Sequence, residues 1–498
     1  MTQIRIVETV TASDMASLLR GRDASTDADL VELRLDGVRD IDVAGALRGR
    51  RLPVVVTCRP VWEGGRFDGS EDERRGLISA AVAGGAEFVD VERRATWRPE
   101  LAGTGCQLVL SDHDFGGVPS DLRARVGAMR AERPAVVKIA VMPLCAADCL
   151  VLRDLHDVAD AQINTVLIGM GGFGRITRAL PAWFGSCWTY ARPTASSETP
   201  STPGQFSARD LARQFNVRET TVHTALYAVT GRPLEHSASP AMHNAAFQAA
   251  RLDAVYVPLQ AVDAADAMAL AEALGVRGMS VTAPLKSVAG GWPVTLCDEA
   301  SAALGTVNTL KRTPAGWQGR NVDGDGFLDA CDARGMDLTA RRVVVLGAGG
   351  AARSVAHALR GRGAIVSVSA RRTEEATRLA DAVGAEVEKW PPVGEWNMLV
   401  NATTVGTWPD EEHSPVSLSD VDPGGVRAEV VYDLVYNPEH TTLLQAAVAA
   451  GASAIGGLEM LVGQAVRQSA WWTGRTPSAA VMTEAARAWV ASGRDQIV

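Results

Sequence analysis

Short apolar runs recur through the first half of the chain, at 4–10, 30–35, 54–58, 88–91, 108–110, 136–141, 166–168 and 187–190. Longer stretches that mix polar and apolar positions separate most of them, 70–83 and 121–133 among them. A short continuous apolar run reads as a strand buried on both faces, and strands alternating with helical stretches read as βαβ units. Eight such units in about 220 residues predict a (β/α)8 barrel; an open doubly wound sheet is the alternative, but it does not need eight.

The pattern turns over across 196–239. Residues 196–205 are Pro, Gly and small hydroxyl residues, which is loop chemistry. A helix is predicted over 207–218, with Ser207 as N-cap and Asp210 in the first turn. The apolar run 225–231 then opens a new domain, stopped by Gly231 and followed by Arg232-Pro233. Beyond it a helix is predicted over 241–250 and a short strand within 276–286. Further strands are predicted at 342–346, 364–368, 398–401 and 430–436, and late helices from 456 to the end.

Composition narrows the function classes. The 498 residues are 47% hydrophobic and 21% charged, with a net charge of −9, so large cores are possible and no concentrated basic patch points to nucleic acid. No apolar run approaches ~20 residues and no basic leader precedes an apolar core, so neither a membrane span nor a signal peptide is expected. Seven scattered Cys, with only Cys145 and Cys149 close together, complete no zinc set and fit a reducing cytoplasm.

A barrel places its chemistry at the C-terminal ends of its strands. Glu32, Arg34 and Asp36 lie in and after the second strand, Arg59 ends the third with Glu63 in the loop beyond, and Asp112 and His113 end the fifth. Lys138 interrupts the sixth, flanked by Val and Ile. Burial disfavours an ammonium and lowers its pKa, giving a nucleophilic amine suited to Schiff-base chemistry; a structural ion pair with an interior Glu explains the same residue. His113 reads equally as a strand-end structural His.

Taken in order, Glu32-Leu-Arg34-Leu-Asp36, Arg59, Glu63-Gly-Gly, Ser111-Asp-His-Asp-Phe115, Lys138-Ile-Ala-Val-Met-Pro143 and Ser201-Thr-Pro-Gly-Gln205 resemble type I 3-dehydroquinate dehydratase. The resemblance implies that Lys138 forms the imine, His113 moves the proton, and Glu63 orients His113. It implies that Arg178 clamps the substrate carboxylate, that Glu32, Arg34 and Arg59 bind hydroxyls or stabilise the site, and that Ser201 and Gln205 belong to a lid. Asp112 departs from the Asn frequent in that family and stands beside His113.

The second half carries its own motifs. In His236-Ser-Ala-Ser-Pro240, two hydroxyls two apart with Pro at a helix start form a small anion site, or Ser239 merely caps the helix. Lys286 and Asp323 are a proton-transfer pair if loops bring them together, and otherwise a surface Lys and a turn Asp. The strand 342–346 runs into Gly347-Ala348-Gly349-Gly350-Ala351-Ala352 and a helix over 351–360, the setting of a dinucleotide fingerprint. The next strand ends in Arg371-Arg372-Thr373 instead of an acid, which suits a 2′-phosphate and so NADP, unless the Arg pair is only a solvated face.

These strings, with Asn401-Ala-Thr403, Asp433-Leu-Val-Tyr436 and Gly457 to Gln464, resemble shikimate dehydrogenase. The resemblance implies that Ser237 and Ser239 hold the substrate carboxylate and that Lys286 and Asp323 act at the reacting hydroxyl. Thr282, Asn308, Asn321, Tyr436 and Gln464 then surround the ring. Gly347–Ala351, Asn401 and Thr403 line the cofactor, the 371–373 loop holds the adenosine phosphate, and Gly457 and Met460 approach the nicotinamide. Ser280 and Leu285 depart from the Asn and His common in bacterial members.

The expectation is therefore an α/β chain: a barrel at 1–222, a substrate lobe at 223–325, a Rossmann-like NADP lobe at 326–460 and terminal helices at 461–498 packing back on the substrate lobe. The order resembles the plant-type fusion of the two enzymes, acting in the cytoplasm on 3-dehydroquinate, 3-dehydroshikimate and shikimate, with no metal, nucleic acid or membrane partner. A catabolic quinate/shikimate dehydrogenase pairing, a half that only binds, and a generic Schiff-base aldolase are the rivals.

Overall fold

Period-two alternation with both faces buried gives the first half its form. The strands are β1 (Arg5–Thr11), β2 (Leu30–Arg34), β3 (Val54–Thr57), β4 (Phe88–Glu92), β5 (Gln107–Asp114), β6 (Val136–Val141), β7 (Asn164–Gly169) and β8 (Trp188–Ala191). They pair in parallel in the order β7-β6-β5-β4-β3-β2-β1-β8. The N–H of Cys187, just before β8, donates to the Thr165 carbonyl at 2.9 Å, so the ring nearly closes. This computed structural model describes residues 3–101, 103–155, 163–194, 204–287, 291–418 and 426–494.

One face of each strand packs outward under the helices α1 (Met15–Ala24), α2 (Val43–Leu47), α3 (Glu71–Ala83), α4 (Leu122–Ala131), α5 (Asp148–Asp154) and α6 (Gly171–Ala179). Val31, Leu33, Val54, Val56, Val89 and Val91 belong to that outer layer. The other face fills the barrel with Leu30, Val55, Phe88, Val109, Val136 and Val166, floored by Trp188. Two residues further along the same face stand Glu32, Thr57, Asp90, Ser111 and Lys138, all buried. The interior is thus apolar at its lower end and charged at the C-terminal end of its strands, as a barrel enzyme requires.

The helix expected over 207–218 is one wide turn, Asp210–Gln214. Ser207 does act at its start: the Asp210 N–H donates to Ser207 Oγ at 3.0 Å and the Ser207 N–H to Asp210 Oδ2 at 3.2 Å. Asn216, at φ +48°, then ends the helical path.

The chain goes on through β9 (Ala225–Gly231) and α7 (Ser239–Ala249) to β10 (Ala254–Gln260) and α8 (Ala264–Leu274). Contacts divide the described chain into two units, and 253–276 group with the barrel. There Asp266 of α8 accepts the backbone N–H groups of Ala146 (3.0 Å) and Ala147 (2.8 Å) ahead of α5.

The second unit holds two sheets. Next along the chain come β11 (Gly278–Val281), β12 (Val294–Leu296), α9 (Glu299–Leu304), β13 (Thr309–Thr313), β14 (Gly316–Arg320) and α10 (Asp323–Asp332). In the first sheet β9, β11, β13, β14 and β12 lie in that order. Then follow β15 (Arg342–Leu346), α11 (Gly350–Gly361), β16 (Ile365–Ser369), α12 (Thr373–Val383), β17 (Glu386–Glu388), β18 (Gly394–Asn401), β19 (Val426–Asp433), α13 (Thr442–Ala449), β20 (Ser453–Ile455), α14 (Gly457–Thr473) and α15 (Ala479–Arg494). The second sheet, β17-β16-β15-β18-β19-β20, is parallel throughout. Val343, Val345, Val355, Leu359, Val366 and Val400 are part of its core. Leu458 and Val462 of α14 and Met482 and Ala486 of α15 pack with Ala238, Met242 and Ala246 at α7.

Candidate active sites

The barrel site is a buried lattice of alternating charge. Lys138 Nζ lies 2.9 Å from Asp90 Oδ2 and 3.5 Å from Glu32 Oε1, with the Tyr190 ring centroid 4.1 Å away. The amine is interior and paired, with Asp90 nearer than the interior Glu of the ion-pair reading. Glu32 is itself held by Thr9 Oγ1 at 2.8 Å and Thr57 Oγ1 at 2.9 Å. Burial works to raise its pKa, but Lys138 and Arg34 outweigh that and keep it below the usual range.

Arg59 is 3% exposed and fully engaged by the protein. It donates to Asp90 Oδ1 at 2.8 Å, Glu92 Oε1 at 2.6 Å and Ser111 Oγ at 2.8 Å. Against burial, Arg59 and Lys138 hold the Asp90 carboxyl well below its ordinary value. Arg34 forks onto Asp36 at 2.8 and 2.9 Å, so its outer rim is tied as well.

His113 lies on β5 beside Lys138 on β6: the register pairs Ser111 with Lys138 and His113 with Ala140, so the two side chains share the inner face. Glu63 Oε1 accepts the His113 backbone N–H at 2.9 Å and stands 3.2 Å from its Nδ1. Burial, then Arg59 and Lys138, push the imidazole well below its usual pKa. Burial pushes Glu63 up to about 7, against the pull of Arg59. Asp112 acts on this pair only at a distance, adding to the rise of Glu63. It points the other way on β5, toward Arg93 and Arg125, each at 3.4 Å.

Arg178 is 3% exposed, and no carboxylate among the described residues pairs with it. Its Nη1 donates to the Tyr190 carbonyl at 3.3 Å, its Nε has no partner, and burial with neighbouring Arg175 pushes its pKa down to about 10. A buried guanidinium without a carboxylate partner is poorly compensated, and its fork matches the geometry of a carboxylate. Gln205 sits between Gly204, whose Cβ would strike the Gly171 carbonyl, and Phe206, under the Arg175 guanidinium at 4.4 Å. Ser201 lies outside the described residues. Asp90, Glu92 and Ser111 were missed in the sequence, although the spacing of Asp90 and Glu92 within Phe88–Glu92 puts both on the inner face.

In the second unit, Lys286 and Asp323 do meet. Lys286 Nζ is 2.6 Å from Asp323 Oδ2, and Asn308 Nδ2 donates to the other oxygen at 2.7 Å. Asn321 Oδ1 accepts the Asp323 N–H at 3.1 Å, while its Nδ2 donates to Thr306 at 2.8 Å and to Ser354 of α11 at 2.9 Å. Asn321 thus ties the substrate loops to the dinucleotide helix. Ser239 is the first residue of α7; Ala238 holds the cap position and no side chain caps it, so the capping alternative for Ser239 fails. Ser237 Oγ accepts the Ser239 N–H at 3.4 Å, and Tyr436 Oη reaches the His236 carbonyl at 3.1 Å. Thr282 packs against Gly231 and donates its N–H to Thr230. Gln464 stands on α14, where Gly326 of α10 allows the close approach. Ser280 Oγ donates to Gln468 Oε1 at 2.7 Å, and Gln468 Nε2 to the Asn308 carbonyl at 3.2 Å, a support that sequence reasoning missed. Leu285 is half-buried before Lys286, and its carbonyl accepts the Trp292 indole N–H at 2.7 Å.

Parallel register gathers the cofactor positions at one edge, since Leu346 pairs with Ser369 and Asn401, and Asn401 with Asp433. Gly347 adopts φ +99°, and a Cβ there would come within 3.1 Å of Thr403. Ala348 packs on the lobe's core, Gly349 caps α11, and Gly350 and Ala351 begin it. A Cβ on Gly350 would stand 3.4 Å from Lys286 Cδ, so the turn adjoins the Lys286–Asp323 pair. Thr403 Oγ1 donates to Asn401 Oδ1 at 2.7 Å, and Asn401 to Asp433 at 2.8 Å. Arg371, Arg372 and Thr373 are exposed; Arg372 reaches Glu375 at 2.8 Å. Gly457 is required by packing, because a Cβ would come 2.2 Å from the Leu434 carbonyl oxygen, and Met460 lies in the lobe's core.

Known proteins share both halves. Residues 6–221 match type I 3-dehydroquinase, 229–310 the shikimate dehydrogenase substrate binding domain, and 457–487 the shikimate 5'-dehydrogenase C-terminal domain. A chloroplastic bifunctional 3-dehydroquinate dehydratase/shikimate dehydrogenase of Arabidopsis thaliana is 31% identical over 481 residues, spanning 90% of this chain and 78% of that one. Shikimate dehydrogenase (NADP(+)) of Moorella thermoacetica is 39% identical over 279 residues, 53% of this chain and 93% of its own. A crystal structure of a shikimate dehydrogenase with NADP+ is 31% identical at a TM-score of 0.50, covering 54% of this chain and 96% of that one.

Proposed function

This chain belongs to the bifunctional 3-dehydroquinate dehydratase/shikimate dehydrogenase family, and on that premise we propose which side chains carry each reaction. The chain dehydrates 3-dehydroquinate to 3-dehydroshikimate and reduces that ketone to shikimate with NADPH.

In the barrel, assigned here to 1–222, Lys138 adds to the substrate ketone and forms an imine, releasing water. His113 removes the adjacent proton as electrons flow into the iminium. The hydroxyl then departs with a proton from His113, and water hydrolyses the imine to free Lys138. Neighbouring cations favour neutral His113, the form a base needs, and Glu63 orients it. Arg178 receives the carboxylate; Glu32, Arg34 and Arg59 hold the site, with Gln205 and Ser201 in its cover.

In the second reaction, assigned to 223–325 for substrate and 326–460 for cofactor, with 461–498 closing back, Lys286 passes the proton to the developing alkoxide and Asp323 positions it. Ser237 and Ser239 receive the carboxylate, and Thr282, Asn308, Asn321, Tyr436 and Gln464 surround the ring. The residues fit NADP: Gly347 leaves room where a Cβ would crowd Thr403, α11 presents its N-terminus, and β16 ends in two exposed Arg with no acid. Gly347–Ala351, Asn401, Thr403, Arg371–Thr373, Gly457 and Met460 would hold it. When bound, NADPH supplies the reducing equivalent.

A net charge of −9 supports small-molecule partners over nucleic acid. No described helix is long and apolar enough to cross a membrane, and seven free cysteines support a cytoplasmic location.

The observation that carries this reading is Lys138 beside Asp90 with His113 and Glu63 on adjoining strands, in one chain with the Lys286–Asp323 pair. Purified protein given 3-dehydroquinate and NADPH tests it: NADPH is consumed and shikimate accumulates. No consumption even with 3-dehydroshikimate contradicts it.

A further inference from the structure

An ion pair between Arg74 and Glu92 links the dehydratase site to an outer helix of the barrel. Arg74 lies on α3, an outer helix, yet is 0% exposed and leads its buried stripe of Arg74, Ile78 and Ala81. A reciprocal capping box between Ser70 and Glu73 fixes the helix start at Glu71, three residues before it. The guanidinium forks onto Glu71 at 3.0 and 2.7 Å and lies 5.1 Å from the Trp97 ring centroid and 5.8 Å from that of Trp62. Its remaining arm donates to Glu92 Oε2 and to the Cys58 carbonyl.

Glu92 has no other cationic partner than Arg74 and Arg59 among the described residues. The order of charge is therefore Arg74, Glu92, Arg59, Asp90, Lys138, alternating in sign from the outer helix to the amine. Each carboxylate is held between two cations, and a buried carboxylate that loses one is left poorly compensated. Arg59 in turn acts on both acid-base groups, His113 and Glu63.

Resting on the dehydratase reading above, we propose that Arg74 and Glu92 are positioning residues that set the balance of charge around Arg59, and with it the protonation of Glu63 and His113. Neither touches substrate. The charged groups that act on the Glu63–His113 pair are Arg34 from β2, Arg59 from the end of β3, Asp90 and Glu92 from β4, Lys138 from β6, and Asp112, which points away behind His113 on β5. Of these, Glu92 and Asp112 are compensated from outer helices, by Arg74 and Arg125, and of the two only Glu92 also pairs with Arg59. Its carboxylate raises Glu63, which Arg59 lowers.

The sign of the response distinguishes positioning from simple support of the fold. Glu92→Gln removes a negative charge while leaving Arg74 and Arg59, so the acid limb of dehydratase kcat/KM shifts down by about half a pH unit. Arg74→Met leaves Glu92 with one cation instead of two, so the limb shifts up by a similar amount of about half a unit. In both, kcat falls about 10- to 100-fold as the balance of charge around Glu63 and His113 changes, with KM held within about threefold. Arg74→Lys keeps the charge and restores the limb.

Both activities are read on the full chain, with borohydride trapping of the Lys138 imine by mass. Trapping in the parent protein establishes the dehydratase reading separately, and its absence sinks both that reading and this proposal. With the parent trapped, opposite shifts support the proposal, and a downward shift in Glu92→Gln alone supports it if Arg74→Met does not fold. Unmoved limbs, or shifts of the same sign in folded variants, overturn it.

Discussion

Lys138 Nζ lies 2.9 Å from Asp90 Oδ2, inside the barrel and at the charged end of its strands. The amine that is to become a nucleophile is thus held by a carboxylate on the next strand but one, because β4, β5 and β6 are neighbours. Lys138→Ala is expected to cut dehydratase turnover by at least about 10³-fold while leaving reduction of 3-dehydroshikimate unchanged. Asp90→Asn should cost about 10- to 100-fold in kcat by loosening the amine, with imine trapping slowed but still detected. Separate assays of the two half-reactions check both.

Glu63 takes two contacts from one residue, the His113 backbone N–H and its Nδ1. Its carboxyl titrates near 7, raised from 4.5. The ionised form is the one that accepts from Nδ1–H, so dehydratase kcat/KM is expected to rise with pH through an acid limb close to 7. Glu63→Gln should remove that limb and lower kcat by about 10²-fold. A variant profile that keeps its limb near 7 would assign the limb elsewhere.

Lys286 and Asp323 are joined at 2.6 Å, with Asn308 on the far carboxylate oxygen. Lys286→Met is expected to lower dehydrogenase kcat by about 10²- to 10³-fold, the range for a lost general acid. Dehydratase turnover measured on the same preparation should not change.

The two exposed Arg after β16 are not equivalent. Arg372 already has Glu375 at 2.8 Å, whereas Arg371 has no carboxylate partner among the described residues. Arg371→Ala is therefore expected to raise KM for NADPH about tenfold with little effect on NADH, and Arg372→Ala to do less. Steady-state kinetics with both cofactors decide this.

Glu8 is 2% exposed, and burial raises its pKa from 4.5 to about 7. The folded state therefore holds its proton more tightly than the unfolded state. The cost is absent below the unfolded value, grows as pH rises toward 7 and is complete above it. Glu8→Gln should stabilise the barrel by up to about 3 kcal/mol at pH 8 and by almost nothing at pH 4. Thermal melts at the two pH values provide the check.

The strands were legible because a parallel strand buried on both faces is a plain apolar run. Those expected at 136–141 and 225–231 have those bounds in the structure, and the other barrel strands lie within a few residues. Candidate residues at strand ends were legible for the same reason, since period two carries Glu32, His113 and Lys138 to one face. Asp90 was hidden inside the run read as apolar over 88–91, and Glu92 directly after it. Arg74 was hidden because helical spacing marks a core position without saying that a charge fills it. The shortened 207–218 helix depends on the left-handed conformation of Asn216, which composition does not announce.

The central claim is two complete and independent sites on one chain. It is tested most directly by mixing the Lys138→Ala and Lys286→Met proteins with 3-dehydroquinate and NADPH. Neither variant alone should form shikimate, and the mixture should form it, because 3-dehydroshikimate made by one passes through solution to the other. A silent mixture, or the loss of both half-reactions in either single variant, would contradict the account.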